Sequence, residues 1–288
     1  MTNILVTGAN GQIGSEISDL ASQFPNLNLI PHNQDTLDIT ETSQIDRLFK
    51  ERSWDYCINC AAYTAVDRAE NDFALAQAVN QNGAKYLAEA CQQYGVKLFH
   101  FSTDYVYHNS LNRPLLETDP TVPQSIYAQT KLAGEKAILA ALPEALILRT
   151  SWVYSSFGHN FVKTMLRLGK ERTSLRIVYD QIGTPTYARD IAMTCLQIIQ
   201  KIKNGDIAWQ GGVFNYSNEG VCSWYDFALN IFELSNIACS VSPIESKDFP
   251  TAAKRPFYSV LNKNKFKSVF KMTIPHWRIS LIDCLEEL

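Results

Sequence analysis

The chain has no apolar run near the roughly 18 residues that cross a bilayer, no dense basic stretch, no internal repeat and no low-complexity tract. The first absence argues against a membrane partner. The second, with a net charge of only −3, removes the electrostatic footprint expected of a nucleic-acid binder. The amino terminus lacks the charged-then-apolar form of a signal peptide, so the expectation is an unprocessed cytoplasmic protein. Cysteine is sparse and odd in number, seven in 288 residues, which points to reduced thiols and not to a disulfide framework. Cys57 and Cys60 form a C-x-x-C, but in a strand-like segment residues three apart face opposite ways, so the pair is not expected to share a metal or a disulfide. The five histidines have no ligand spacing, and no metal site is expected. His100, inside an apolar strand-like run, reads as a satisfied core residue.

What remains is an ordinary globular composition, 46% hydrophobic over 288 residues, enough for one large core or two smaller ones. Ile4-Leu-Val6 is a short β-branched run followed at once by Thr7-Gly8-Ala-Asn10-Gly11-Gln12-Ile13-Gly14. An amphipathic helix carries Ile13, Ile17, Leu20, Ala21 and Phe24 inward until Pro25 ends it, and Asn28-Leu-Ile30 reads as the next strand. Strand, glycine turn, helix and strand within about 30 residues is the setting that turns a glycine pattern into a dinucleotide fingerprint. Glycine permits the tight turn and close backbone approach, and the helix N-terminus offers N–H donors to a pyrophosphate.

The alternation continues with a helix over Ile45–Glu51, a strand Tyr56–Cys60, a helix Phe73–Tyr94 and a strand Val96–Phe101. A loop Tyr107–Gln124, a helix from about Ser125 to Ala141 and a strand Ala145–Arg149 follow. This pattern implies an α/β fold of the Rossmann type, a doubly wound parallel sheet whose ligands sit beyond the carboxyl ends of the strands. A smaller, interwoven C-terminal α/β lobe is expected beside it. The expected division is residues 1–150 and about 175–208 for the dinucleotide-binding domain, with about 151–174 and 209–288 for the substrate lobe.

One helix carries Tyr127 and Lys131 four residues apart, hence on one face. An ammonium beside a phenol is expected to lower the phenol's pKa. A phenol so placed can give a proton to a developing alkoxide, which the reduction of a ketone requires. The pair opens the helix after Ser102-Thr103-Asp104, where a hydroxyl at 102 or 103 could polarise a carbonyl while Lys131 meets the nicotinamide ribose.

These segments resemble the extended short-chain dehydrogenase/reductase superfamily and, within it, the family of dTDP-4-dehydrorhamnose reductases. The likeness runs nearly end to end. It is carried by Thr7–Gly14, Asn59-Cys-Ala-Ala-Tyr-Thr-Ala-Val-Asp67, Ser102-Thr-Asp-Tyr-Val-Tyr107 and Tyr127-Ala-Gln-Thr-Lys-Leu-Ala-Gly-Glu135. It extends through Leu148–Tyr154, Asn160–Leu166, Asp180–Thr186 and Arg255–Asn262. The resemblance implies reduction of the C4 ketone of dTDP-4-dehydro-L-rhamnose with NADPH or NADH. It implies Thr103, Tyr127 and Lys131 as the catalytic triad, Gly11, Gln12 and Ile13 at the pyrophosphate, and Asp38 and Ile39 at the adenine end. Ala61, Ala62 and Tyr63 would pass beside the cofactor. Thr103, Asp104 and Trp152 would surround the sugar, and Asn160 and Arg255 would hold the nucleotide diphosphate.

Two departures bear on this. Strand Asn28-Leu-Ile30 is followed by Pro31-His32, with neither an acid for a 2′-hydroxyl nor an arginine for a 2′-phosphate, so the choice between NADH and NADPH stays open. Some members form Mg²⁺-bridged dimers through carboxylates. Here Glu16 and Glu286 or Glu287 would serve, but Arg189 stands where the middle acid is expected, so no structural metal is anticipated and a homodimer is left open. A 4,6-dehydratase or 4-epimerase is the nearest alternative, though dehydratases carry an acid where Tyr105 stands. A non-catalytic subunit, like the regulatory β subunit of methionine adenosyltransferase, is the other.

Overall fold

The computed structural model describes residues 1–108 and 110–288; position 109, inside the expected loop Tyr107–Gln124, lies outside the described residues. Five strands and six helices make the first half of the chain. In order they are β1 (Thr2–Thr7), α1 (Gln12–Asp19), β2 (Leu27–His32), α2 (Thr42–Glu51), β3 (Tyr56–Asn59), α3 (Val66–Ala69), α4 (Phe73–Gln77), α5 (Ala84–Tyr94), β4 (Lys97–Thr103), α6 (Ile126–Ala141) and β5 (Leu146–Thr150). The strands, with Gly212–Asn215 at one edge, form a six-stranded sheet in the order Gly212–Asn215, β5, β4, β3, β1, β2. Every pairing in it is parallel. After β1 the chain turns outward to β2, then crosses to β3 on the other side, so the loops after β1 and β3 diverge at the switch point of the sheet.

Both faces are covered, as buried parallel strands require. Ile4, Val6, Ile58, Phe99 and Leu146 pack beneath Ile17 of α1 and Ile191, Leu196 and Ile199 of the helix Ala188–Asn204. On the opposite face Leu5, Cys57, Leu98 and Ile147 meet Ile45 and Phe49 of α2, Leu87 and Cys91 of α5 and Ile138 of α6. The period of two along each strand separates these sets. A third core, with Tyr154, Met165, Leu175, Phe227 and Trp277, belongs to the smaller lobe.

Two strands fall on the other side of the expected lobe division. Ser174–Val178 pairs with Ser240–Ile244 in a small parallel sheet, away from the main one, and its Leu175 joins the third core. Gly212–Asn215 hydrogen-bonds to β5, so the main sheet recovers its last strand from beyond residue 209. Strands this short carry too little pattern to show which sheet they join.

The expected helix Phe73–Tyr94 is continuous but not uniform. A π-helical turn, Ala78–Gly83, joins α4 to α5. Asn80 in that turn clamps the loop after β3 through both the amide and carbonyl of Tyr63 (2.9 and 3.1 Å) and reaches Thr130 of α6 at 3.2 Å. Gly134 of α6 lies against the same turn, where a Cβ would come within 2.1 Å of Asn80 O. Arg189 closes onto Glu16 (3.1 Å) and Asp19 (2.6 Å), tying α1 to the helix that begins at Ala188. Among the described residues, no cluster of three or more His, Cys, Asp or Glu has the form of a metal site, and no helix is long and apolar enough to cross a membrane.

Candidate active site

The glycine turn depends on two glycines. Gly8 has φ +64°, and a Cβ there would lie 2.5 Å from Ala61 N; a Cβ on Gly14 would lie 2.5 Å from Gly8 O. Gly11 caps α1, and its N–H closes the turn on Gly8 O at 2.9 Å. The turn and the loop after β3 thus run backbone against backbone. Together they line a cavity of about 470 Å³ with Gly8, Asn10, Gly11, Asp35, Asp38, Ile39, Ala61, Ala62 and Tyr63. Asp38 is fixed by accepting from Thr40 N and Oγ1.

Gly11, Cys60 and Ala62 also line a second cavity, of about 560 Å³, so the two adjoin at the glycine turn. Gln12, Ile13, Ser102, Thr103, Asp104, Tyr105, Tyr127, Lys131 and Trp152 meet there. Helix α6 reaches it because Ser125 caps its first turn, accepting from Ala128 N at 3.3 Å, and no proline breaks it before Ala141. Strand β4 delivers Thr103 at its last position, where Oγ1 accepts from Tyr105 N and donates to Asp104 Oδ1, both at 3.2 Å. Tyr105 meets Tyr127 edge-on, with ring centroids 6.0 Å apart.

Burial sets the protonation states. It raises the Tyr127 phenol to about 12, with a hydrogen bond to Thr103 acting against it. It lowers Lys131, which is 2% exposed, to about 8. The phenol thus lies above its ordinary value, where the spacing of Tyr127 and Lys131 led to the expectation of a lowered one; burial and the charge of Asp104 raise it. Lys131 Nζ donates to Phe101 O at 2.6 Å. Burial also raises the Asp104 carboxyl to about 7, and its Oδ2 has no hydrogen-bond partner among the described residues.

The two hydroxyls at the end of β4 have separate fates. Ser102 lines the second cavity, but its Oγ donates to Glu135, which forms a buried ion pair with Arg149 at 2.6 Å. Thr103, pointing to the other face, is the one left beside Tyr127. Trp152 has φ +46° and stacks on Trp224, with centroids 3.6 Å apart and planes 9° apart. Trp224 also lines a third cavity, of about 740 Å³, with Phe161, Arg172, Arg176 and Arg255. There Arg255 is bound bidentately by Asp67 at 2.6 and 3.1 Å. Asn160 is not among the lining residues of these cavities. Its side chain caps the helix Phe161–Glu171 and donates to Gln12 Oε1 at 3.0 Å, one step behind the glycine turn.

Sequence reading passed over Asn80, Trp224, Arg172 and Arg176, none of which sits in a local pattern. It placed His100 in the core, where it is 1% exposed, but did not foresee its contacts with Asn59 and Lys131.

The model of the RmlD substrate binding domain family matches residues 1–288. The chain is 38% identical over 288 residues to a dTDP-4-dehydrorhamnose reductase of Aggregatibacter actinomycetemcomitans, spanning 98% of this chain and 97% of the relative. Its fold superposes on a dTDP-4-dehydrorhamnose reductase of Clostridium acetobutylicum with a TM-score of 0.93, 41% identity and 99% of each chain covered. The Bacillus anthracis reductase in complex with NADP gives a TM-score of 0.94 at 36% identity, with all of both chains covered.

Proposed function

The chain belongs to the dTDP-4-dehydrorhamnose reductase family, and from that membership we propose that it reduces the C4 ketone of dTDP-4-dehydro-L-rhamnose to dTDP-L-rhamnose, with Tyr127 Oη as the proton donor. The observation that carries this reading is the meeting of Thr103, Asp104, Tyr127 and Lys131 in a cleft that reaches the glycine turn.

The turn fits a dinucleotide, because the absence of Cβ atoms at Gly8 and Gly14 lets backbone N–H groups at the start of α1 approach a pyrophosphate. Gly8, Asn10, Gly11, Gln12, Ile13 and Gly14 would hold that group. Asp38 and Ile39 would flank the adenine side, Ala61, Ala62 and Tyr63 the middle, and Ser102, Tyr127 and Lys131 the nicotinamide end. When bound, the reduced nicotinamide supplies the hydride. The adenine-side cavity contains Asp35 and Asp38 and, among its lining residues, no lysine or arginine. That favours NADH over NADPH, since a 2′-phosphate would meet two carboxylates and no cation.

Tyr127, raised to about 12, begins as a phenol at neutral pH and can act as an acid. Its hydroxyl donates to the substrate carbonyl oxygen, where negative charge builds, and the Thr103 hydroxyl would join it by turning its one proton from Asp104 Oδ1 to that oxygen. The phenol proton then moves to that oxygen, completing the alcohol. Asp104 Oδ2 would take a sugar hydroxyl, and Trp152 would wall the ring. Arg255, Arg172 and Arg176 would meet the diphosphate end.

With enzymatically generated dTDP-4-dehydro-L-rhamnose, substrate-dependent loss of absorbance at the reduced-nicotinamide band is expected. Tyr127→Phe should lower kcat by roughly 10²–10⁴ with little change in cofactor affinity. Full activity in that variant would sink the proton-donor assignment, and turnover without net cofactor oxidation would point to an epimerase or dehydratase instead.

A further inference from the structure

The Thr103 hydroxyl has one proton and stands between groups that can take it. Its Oγ1 accepts from Tyr105 N and lies 3.2 Å from Asp104 Oδ1. It is also hydrogen-bonded to Tyr127, whose phenolate it favours. Pointed at Asp104, the threonine proton takes no part in the reaction. Pointed at the cavity, it meets the oxygen on which charge builds. The choice turns on whether the Asp104 carboxyl carries a proton of its own.

The surroundings of Asp104 favour the neutral carboxyl. The residue is 2% exposed, and Oδ2 has no hydrogen-bond partner among the described residues. A buried carboxylate calls for a cation or several donors, but the nearby cations are engaged elsewhere. Arg255 is bound bidentately by Asp67, Arg149 is paired with Glu135, and Lys131 Nζ donates to Phe101 O. The other titratable groups lining its cavity are Tyr105, Tyr127, Cys60 and His159. Burial pushes the carboxyl up to about 7, with Ser259 and Thr103 acting against it.

We propose that Asp104 is a positioning residue that acts through Thr103 as the neutral acid: its Oδ1–H donates to Thr103 Oγ1 and frees the threonine proton for the substrate oxygen. The proposal rests on the reading of Tyr127 as the proton donor. In this form the Thr103 hydroxyl is complete. It accepts from Tyr105 N and from Asp104 Oδ1, and gives its own proton to the cavity. Asp104 Oδ2 stays an acceptor for a sugar hydroxyl, and the carboxyl keeps its proton through the step. As a carboxylate, Asp104 takes the threonine proton back, and its charge raises Tyr127, which must surrender a proton. Both effects oppose reduction, so the rate falls as pH rises through the Asp104 titration.

Infrared spectroscopy of the free full-length chain reads the carboxyl without turnover. Subtracting the spectrum of Asp104→Asn cancels Glu16 and Asp190, two other carboxyls that burial raises. The difference should hold a protonated-carboxyl band that disappears with a midpoint near pH 7. An Asp104 already ionised at about pH 5.5, closer to the ordinary carboxylate range, overturns the proposal. In the reductase assay, kcat should fall roughly tenfold between about pH 6 and pH 8, as one titration centred near 7 requires. Asp104→Asn removes the titrating group and Thr103→Val the hydroxyl it acts through, so each should lose most of that fall, whatever its absolute rate. A fall centred near pH 8 belongs to Lys131 and is separate. A merely structural role would lower the rate without changing its pH dependence. A full-sized fall near pH 7 in either variant overturns the proposal as well. The infrared titration needs no substrate, so failure of the reductase assay leaves it to be judged separately.

Discussion

The two ends of the cleft are made of different material. At the adenine side the wall next to the glycine turn is backbone and small residues, with Gly8, Gly11, Ala61 and Ala62 facing the space, and side chains such as Asp35 and Asp38 close it beyond. At the far end the wall is side chains, with Arg172, Arg176 and Arg255 beside Phe161 and Trp224. A backbone wall binds through groups that every residue has, and asks only that no side chain intrude. A side-chain wall binds through charge and aromatic faces, so each contact is separately replaceable. The first tolerates no added atom, whereas the second tolerates substitution at a graded loss of affinity.

Substitutions at the two ends test that contrast. Gly8→Ala combines a left-handed φ with a clash on Ala61 N, and displacement of the turn should weaken cofactor binding by roughly two orders of magnitude. Cofactor titration and thermal melting together check this, and affinity retained in a folded protein would remove the backbone-wall account. Arg255→Ala should raise the KM for the nucleotide sugar by about tenfold and leave the cofactor dissociation constant in place; equal losses for both ligands would erase the contrast. Smallest is Asp35→Arg, in the one part of the adenine-side wall where side-chain charge matters. It should shift the NADPH-to-NADH ratio of kcat/KM upward by only a few-fold, as befits an exposed loop charge, and an unchanged ratio would remove Asp35 from cofactor choice.

The same contrast governs what could be read without coordinates. Gly8, Gly11 and Gly14 were legible because a backbone wall leaves its mark as spacing, and Tyr127 and Lys131 because one helix fixes their distance. The alternation of strands and helices revealed the sheet for the same local reason. The far end was visible only through family likeness. Arg255 meets Asp67 across 188 positions, and Trp224 meets Trp152 from a distant part of the chain, so no window of sequence contains either contact. The strand Gly212–Asn215 was assigned to the wrong lobe because four residues carry no information about which edge they join. The depth of the site was also missed, and burial comes first among the causes that set where Tyr127 titrates.

The contact between Asn59 and His100 belongs to a row, with Thr7, that stands in register at the carboxyl ends of β1, β3 and β4 and bears on assembly. Its members are contributed by three strands separated by 52 and 41 positions. A slip of one residue in any of these strands would turn its polar member to the opposite face, among Val6, Ile58 and Phe99. A slip of β3 would leave both Thr7 and His100 without their Asn59 partner, and a slip of β1 or β4 would take one contact from Asn59, at a cost of roughly 1–3 kcal/mol for each group so stranded. Hydrophobic strands of similar composition can slide past one another with little change in buried area. This row makes the native alignment of β1, β3 and β4 a discrete choice, so three buried polar side chains police the register of the sheet.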